Sequence, residues 1–121
     1  MLCLFGFAGC GISGEESKTG YEQISQAEAK ALMDKKSGYV ILDVRTEEEF
    51  NAGHIENAVL IPDYEITEKA EAMLKDKNQL ILVYCRSGNR SKKASQALVD
   101  LGYTNVYEFG GINSWPYEIE K

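Results

Sequence analysis

Leu80-Ile81-Leu82-Val83-Tyr84 is five apolar residues in a row, with nothing in it suited to face water. The run is short for a buried helix, and its β-branched and aromatic residues suit an extended chain. A strand that is apolar at every position is buried on both faces and needs a covering layer on each side. Tyr39-Val40-Ile41-Leu42-Asp43-Val44 repeats the pattern with one polar interruption. Segments of helical period separate these runs. Strands of this kind alternating with helices describe an α/β fold, a parallel sheet with helices on both faces.

Tyr21–Ile24 is a short strand. Ser25-x-x-Glu28 has the form of a capping box, in which a hydroxyl and a carboxylate each satisfy a free N–H at a helix start. The helix it opens runs to about Lys36, with Ala27, Ala31 and Leu32 on one face. Residues 39–44 form a strand. Thr46-x-x-Glu49 is a second capping box, opening a short helix that carries Phe50 and stops at Gly53. Residues 58–62 are extended, and 63–77 are helical, with Ile66, Ala70, Met73 and Leu74 at helical spacing. Strand 79–84, helix 91–101 ending at Gly102, and strand 106–109 complete the pattern. Gly110-Gly111 and a tail containing Trp115 follow. Residues 21–121 are read as one domain.

The first twenty residues differ from the rest. They begin with an uncharged apolar stretch and continue with a Gly/Ser/Glu-rich one. Phe7-Ala8-Gly9-Cys10 looks like a bacterial lipobox, with Cys10 as the lipidated residue and residues 11–20 as a tether. That favours an extracytoplasmic, lipid-anchored protein. The alternative is a cytoplasmic protein with a loose N-terminal tail. No stretch is long enough to span a bilayer. The cysteines, Cys3, Cys10 and Cys85, are too few and too scattered for a disulfide framework.

The polar loop Cys85-Arg86-Ser87-Gly88-Asn89-Arg90-Ser91 lies between the buried run and the helix after it. In open α/β sheets, sites form beyond the carboxyl ends of the strands. A loop that opens a helix converges its N–H groups on one point and adds the partial positive charge of the helix terminus. A cysteine at the mouth of that cradle is favoured as thiolate, its nucleophilic form. The chain carries a net charge of −6, which excludes a general nucleic-acid binder. Yet Arg86, Arg90, Lys92 and Lys93 crowd one short segment without an acid. A local positive field on an acidic protein suits a small anionic substrate; for the two lysines a solvated helix start is the simpler reading.

Arg86 and Arg90 are candidates to bind the oxygens of a small anion, the alternative being surface charge. Gly88 is expected to supply a backbone angle that side chains resist. Ser91 is expected to cap the helix, the alternative being a hydrogen bond to the Cys85 sulfur. Asp43 and Arg45 are read as structural, an acid accepting loop hydrogen bonds and a base paired with an acid. His54, the only histidine, is expected to fix the turn after Gly53. Trp115 is expected in the core or the site wall.

Four motifs follow one another in the chain: Asp43-Val44-Arg45 with Glu48-Glu49-Phe50, Gly53-His54-Ile55-Glu56-Asn57-Ala58 with Ile61-Pro62, the loop Cys85–Ser91, and Gly110-Gly111 with Trp115. In this order they resemble the rhodanese-like domain family, over about residues 21–117. The resemblance implies a three-layer α/β fold with a mostly parallel sheet. It also implies sulfurtransferase activity through a persulfide on Cys85, with residues 86–90 as the substrate cradle. The implied partners are a small anionic sulfur donor and a thiol or cyanide acceptor, with no cofactor or metal. Two rivals stand beside it. Cysteine-dependent phosphatases and arsenate reductases use a similar cradle, but with five residues between cysteine and arginine; here four separate Cys85 from Arg90. A non-catalytic sulfur carrier or redox-sensing thiol is the other.

Overall fold

The computed structural model describes residues 20–121. Cys3, Cys10, the lipobox and the tether up to residue 19 lie outside the described residues. In chain order the elements are β1 (Glu22–Gln23), α1 (Gln26–Lys35), β2 (Val40–Asp43), α2 (Glu47–Ala52), β3 (His54–Ile55), β4 (Val59–Leu60), α3 (Ile66–Met73), β5 (Ile81–Cys85), α4 (Asn89–Asp100), β6 (Val106–Gly111) and β7 (Ile119–Glu120). The main sheet has the order β1-β6-β5-β2-β4, and every pairing in it is parallel. Among the described residues no helix is long and apolar enough to cross a membrane.

The central strand β5 explains the unbroken apolar run. Ile81, Val83 and Cys85 face a core shared with Ile66, Ala70, Ala94 and Leu98 of α3 and α4. Leu82 and Tyr84 face the opposite way, into a core with Ala29 of α1, Phe109 and Trp115. Alternation still governs the strand, but both of its faces are covered, so both sets of positions are apolar. The result is the three-layer α/β architecture, with α1 on one side and α3 and α4 on the other.

Both capping boxes form: Ser25 with Glu28 opens α1, and Thr46 with Glu49 opens α2. The expected helix 63–77 is divided and shorter. A 3-10 turn, Asp63–Glu65, precedes α3, closed by the Glu65 N–H on the Pro62 carbonyl. Then α3 ends at Met73, where the buried Tyr103 hydroxyl donates to the carbonyls of Ala70 and Leu74. The Leu74 carbonyl is one that a helix end leaves without a partner; the Ala70 carbonyl also accepts the Leu74 N–H. The antiparallel pair β3–β7 was not foreshadowed. Two-residue strands leave no periodic signal to read.

Candidate active site

Cys85 is the last residue of β5 rather than the first residue beyond it. Only Arg86, Ser87 and Gly88 separate it from α4, which starts two residues earlier than its sequence pattern suggests. Gly88 is the N-cap, with φ at +111°, a left-handed angle that a Cβ disfavours. That angle aims the Gly88 N–H back at the Cys85 Sγ, 3.0 Å away.

Because α4 begins at Asn89, Ser91 sits inside its first turn and does not cap it; the N-cap glycine has no side chain to do so. This corrects the expected capping role. The fully buried Ser91 hydroxyl lies 3.3 Å from the Cys85 Sγ instead. It also reaches the Gly88 carbonyl at 3.1 Å and the Glu108 carboxylate at 2.5 Å.

The loop is clamped from behind by β6. Val83 pairs with Glu108 and Cys85 with Gly111, so β6 carries one extra residue there, a bulge. Gly110 takes a φ of +93° within it. Gly111 then packs so tightly that a Cβ on it would fall 2.0 Å from the Arg86 carbonyl oxygen. That same carbonyl accepts from the Asn113 N–H at 3.1 Å. The double glycine is therefore a seat for the backbone of the cysteine loop.

The loop arginines differ. Arg86 is exposed, as are Ser87 and Asn89. Arg90 is half-buried and makes a two-pronged ion pair with Glu49, Nη1 to Oε1 at 2.8 Å and Nη2 to Oε2 at 3.0 Å. Those hydrogen bonds, opposed by partial burial and assisted by the Thr46 amide and hydroxyl, hold the Glu49 carboxyl at about 2. The pairing with Glu49 also raises Arg90, and negative charge at Cys85 adds to the effect. Arg90 thus lies within the electrostatic reach of the sulfur, while its fork is committed to Glu49.

Asp43 and Arg45 form a buried unit with Tyr84. Arg45 Nη2 lies 2.7 Å from Asp43 Oδ2 and donates to the Gly53 carbonyl at 2.6 Å. Asp43 also accepts from the Arg45 N–H at 2.9 Å and the Tyr84 hydroxyl at 2.6 Å. The Tyr84 oxygen in turn accepts the Ile55 N–H at 3.0 Å. Burial, then the Asp43 charge, push the Tyr84 hydroxyl far above its ordinary value, so it serves as a donor at every ordinary pH. This unit ties the turn after α2 to the central strands. His54 stacks on Phe50 at 3.8 Å, with Nδ1 on the Phe50 carbonyl and Nε2 beside Glu120. Trp115 packs between Phe109 and Tyr117, on the α1 side of the sheet.

Two cavities matter for placing substrate. The larger, about 660 Å³, is lined by Met33, Tyr39, Ile41, Ile55 and Trp115 among others. It holds none of the cysteine-loop residues. The smaller, about 330 Å³, is walled by Ser87, Gly88, Lys92, Gln26, Ser114 and Glu108. Size favours the first and chemistry the second, and chemistry decides, because a nucleophile needs its substrate beside it. The sequence reading missed Glu108, which reaches the same serine as the thiol. Its signal was a lone acid inside an otherwise apolar strand, Val106-Tyr107-Glu108-Phe109.

The geometry can be set beside known proteins. The Rhodanese-like domain family model matches residues 25–117. Thiosulfate sulfurtransferase PspE of Escherichia coli (strain K12) is 37% identical over 71 residues, 59% of this chain and 68% of that protein. Thiosulfate sulfurtransferase GlpE of Coxiella burnetii (strain RSA 331 / Henzerling II) is 38% identical over 96 residues, 78% of this chain and 87% of that protein. A solved structure described as rhodanese with anions from E. coli superposes with a TM-score of 0.64 at 32% identity, covering 69% of this chain and 98% of that one. A rhodanese-related protein from Thermoplasma volcanium gives 0.71 at 33% identity, covering 83% and 98%. With its three-layer α/β fold and a cysteine at the end of the central strand, the chain belongs to the rhodanese-like domain family.

Proposed function

We propose that the protein is a rhodanese-type sulfurtransferase that carries a sulfane sulfur as a persulfide on Cys85. The observation that carries this reading is the contact from the Gly88 N–H to the Cys85 Sγ at 3.0 Å. It is a hydrogen bond from a helix N-cap to a buried, unbridged sulfur. Such a donor favours the sulfur when it is anionic. Relatives named thiosulfate sulfurtransferase support the donor class.

The thiolate attacks the outer sulfur of thiosulfate. A sulfur–sulfur bond forms to Cys85, the original one breaks, and sulfite leaves with its electron pair. The persulfide is again anionic at its outer sulfur. Cyanide or a thiol then attacks that sulfur, and Cys85 departs as thiolate, a better leaving group for being stabilised. A polysulfide serves equally as donor, a shorter sulfide leaving in place of sulfite. Arg86 and Lys92 supply positive charge at the mouth for the anion. Arg90, its fork held by Glu49, adds its charge near the sulfur. Ser87 and Asn89 edge the cradle, and Ser91 contacts the sulfur from within.

Thiocyanate formation from thiosulfate and cyanide tests the reading. Wild type is expected to turn over and Cys85→Ser to be inactive. Turnover by Cys85→Ser, or hydrolysis of an aryl phosphate at an ordinary catalytic rate by wild type, would overturn it.

A further inference from the structure

Glu108 is 2% exposed, on the strand beside Cys85. Its carboxylate accepts from three neutral donors: Ser91 Oγ at 2.5 Å, the Gly110 N–H at 2.9 Å and Gln23 Nε2 at 3.2 Å. Among the described residues no basic side chain pairs with it. A carboxylate buried so deeply without a cation depends on its hydrogen-bond donors, and Ser91 is the nearest of them. Ser91 bridges it to the sulfur, since its oxygen lies 3.3 Å from Cys85 Sγ. Ser91 has one proton to give. When that proton points to Glu108, the serine offers the sulfur only lone pairs, which suit a thiol. When it points to the sulfur, the serine offers Glu108 only lone pairs, which suit a protonated carboxyl.

We propose that Glu108 is a positioning residue that takes up, through the Ser91 hydroxyl, the proton that Cys85 gives up on becoming a nucleophile. The thiol proton passes to Ser91 Oγ as the serine proton passes to Glu108 Oε2. Thiol and carboxylate become thiolate and carboxylic acid, and no proton leaves the interior. The proposal concerns the same cysteine as the sulfurtransferase reading and rests on its being the nucleophile, but it needs no sulfur donor. Other charges facing the relay are Arg90 and its partner Glu49 from α4 and α2, Asp63 beside Arg90, and Lys92 on the cavity wall near Glu108.

Alkylation by iodoacetamide, followed on the Cys85 peptide by mass spectrometry, reads the nucleophile alone. Two coupled groups sharing one proton titrate as a pair. In wild type the alkylation rate is expected to be nearly flat between about pH 5 and 7. In Glu108→Gln, and in Ser91→Ala, the proton must go to solvent, so the rate is expected to climb about tenfold per pH unit across that window. If Glu108→Gln does not fold, Ser91→Ala carries the test alone. A wild-type slope of tenfold per unit, or a flat profile surviving in either folded variant, would overturn the proposal. Failure of thiocyanate formation with the flat profile intact would overturn the sulfurtransferase reading instead.

Discussion

Arg90 and Glu49 are 41 positions apart in the chain and close a two-pronged ion pair beside the cysteine loop, at 2.8 and 3.0 Å. The pair fastens the first turn of α4 to the first turn of α2. It also commits the Arg90 fork to Glu49, so in the proposed reaction Arg90 would contribute its charge and not a free fork. Arg90→Ala is therefore expected to raise the KM for thiosulfate about tenfold while lowering the melting temperature by only a few degrees, as befits loss of a partly exposed pair. Kinetics and thermal melts check this. An unchanged KM with a lower melting temperature would make Arg90 purely structural.

The same pair fixes a pH dependence. Glu49 sits at about 2 in the folded protein, below the 4.5 of an ordinary glutamate. A depressed acid stabilises the fold above its unfolded value and loses that contribution as pH falls through the folded value. The window is therefore about pH 4.5 down to 2. Glu49→Gln keeps a side chain able to complete the capping box but removes the charge. Urea denaturation is expected to show the variant less stable by about 1 kcal/mol at pH 7, with the gap closing as pH falls toward 2. A gap unchanged at low pH would contradict the assignment.

Gly111 is needed for room, not for its backbone angle. Its φ of −133° is open to any residue, but the Arg86 carbonyl stands where a Cβ would go. Gly111→Ala is expected to cost about 1–3 kcal/mol and to displace the cysteine loop, lowering thiocyanate turnover by more than the loss of folded protein explains. Full turnover per folded molecule would show that the loop does not depend on this seat.

The buried Asp43–Arg45–Tyr84 unit is expected to act through stability. Arg45→Met leaves Asp43 buried and unpaired, a loss of about 3–5 kcal/mol. Tyr84→Phe removes one donor to Asp43 and strands the Ile55 N–H, costing about 1–3 kcal/mol. Denaturant melts should rank the two in that order. Alkylation of Cys85 in the folded fraction of Tyr84→Phe should match wild type. A variant that melts normally but loses activity would place this unit in the chemistry.

The sheet was legible in the sequence because both faces of β2 and β5 are covered, which leaves runs of apolar residues that nothing else explains. The two capping boxes were legible because each is a local exchange of hydrogen bonds within four residues. Long-range partners were not. Nothing near Arg90 in the sequence names Glu49, and nothing near Ser91 names Glu108, because both pairings exist only once α2, α4 and β6 have packed. The start of α4 at Asn89 departs from the sequence pattern for a related reason. Gly88 caps that helix with a backbone angle, and a serine three residues on made a more familiar signal. Cys85 itself was legible as soon as the strand, the loop and the helix were read together.

Intact-mass measurement reads the proposed persulfide on Cys85 itself. Wild-type protein treated with thiosulfate and freed of excess reagent should gain the mass of one sulfur atom, located on the peptide that contains Cys85, and should lose it on adding cyanide. Cys85→Ser should gain none. A sulfur atom on Cys85→Ser, or no gain on active wild type, would rule out the Cys85 persulfide.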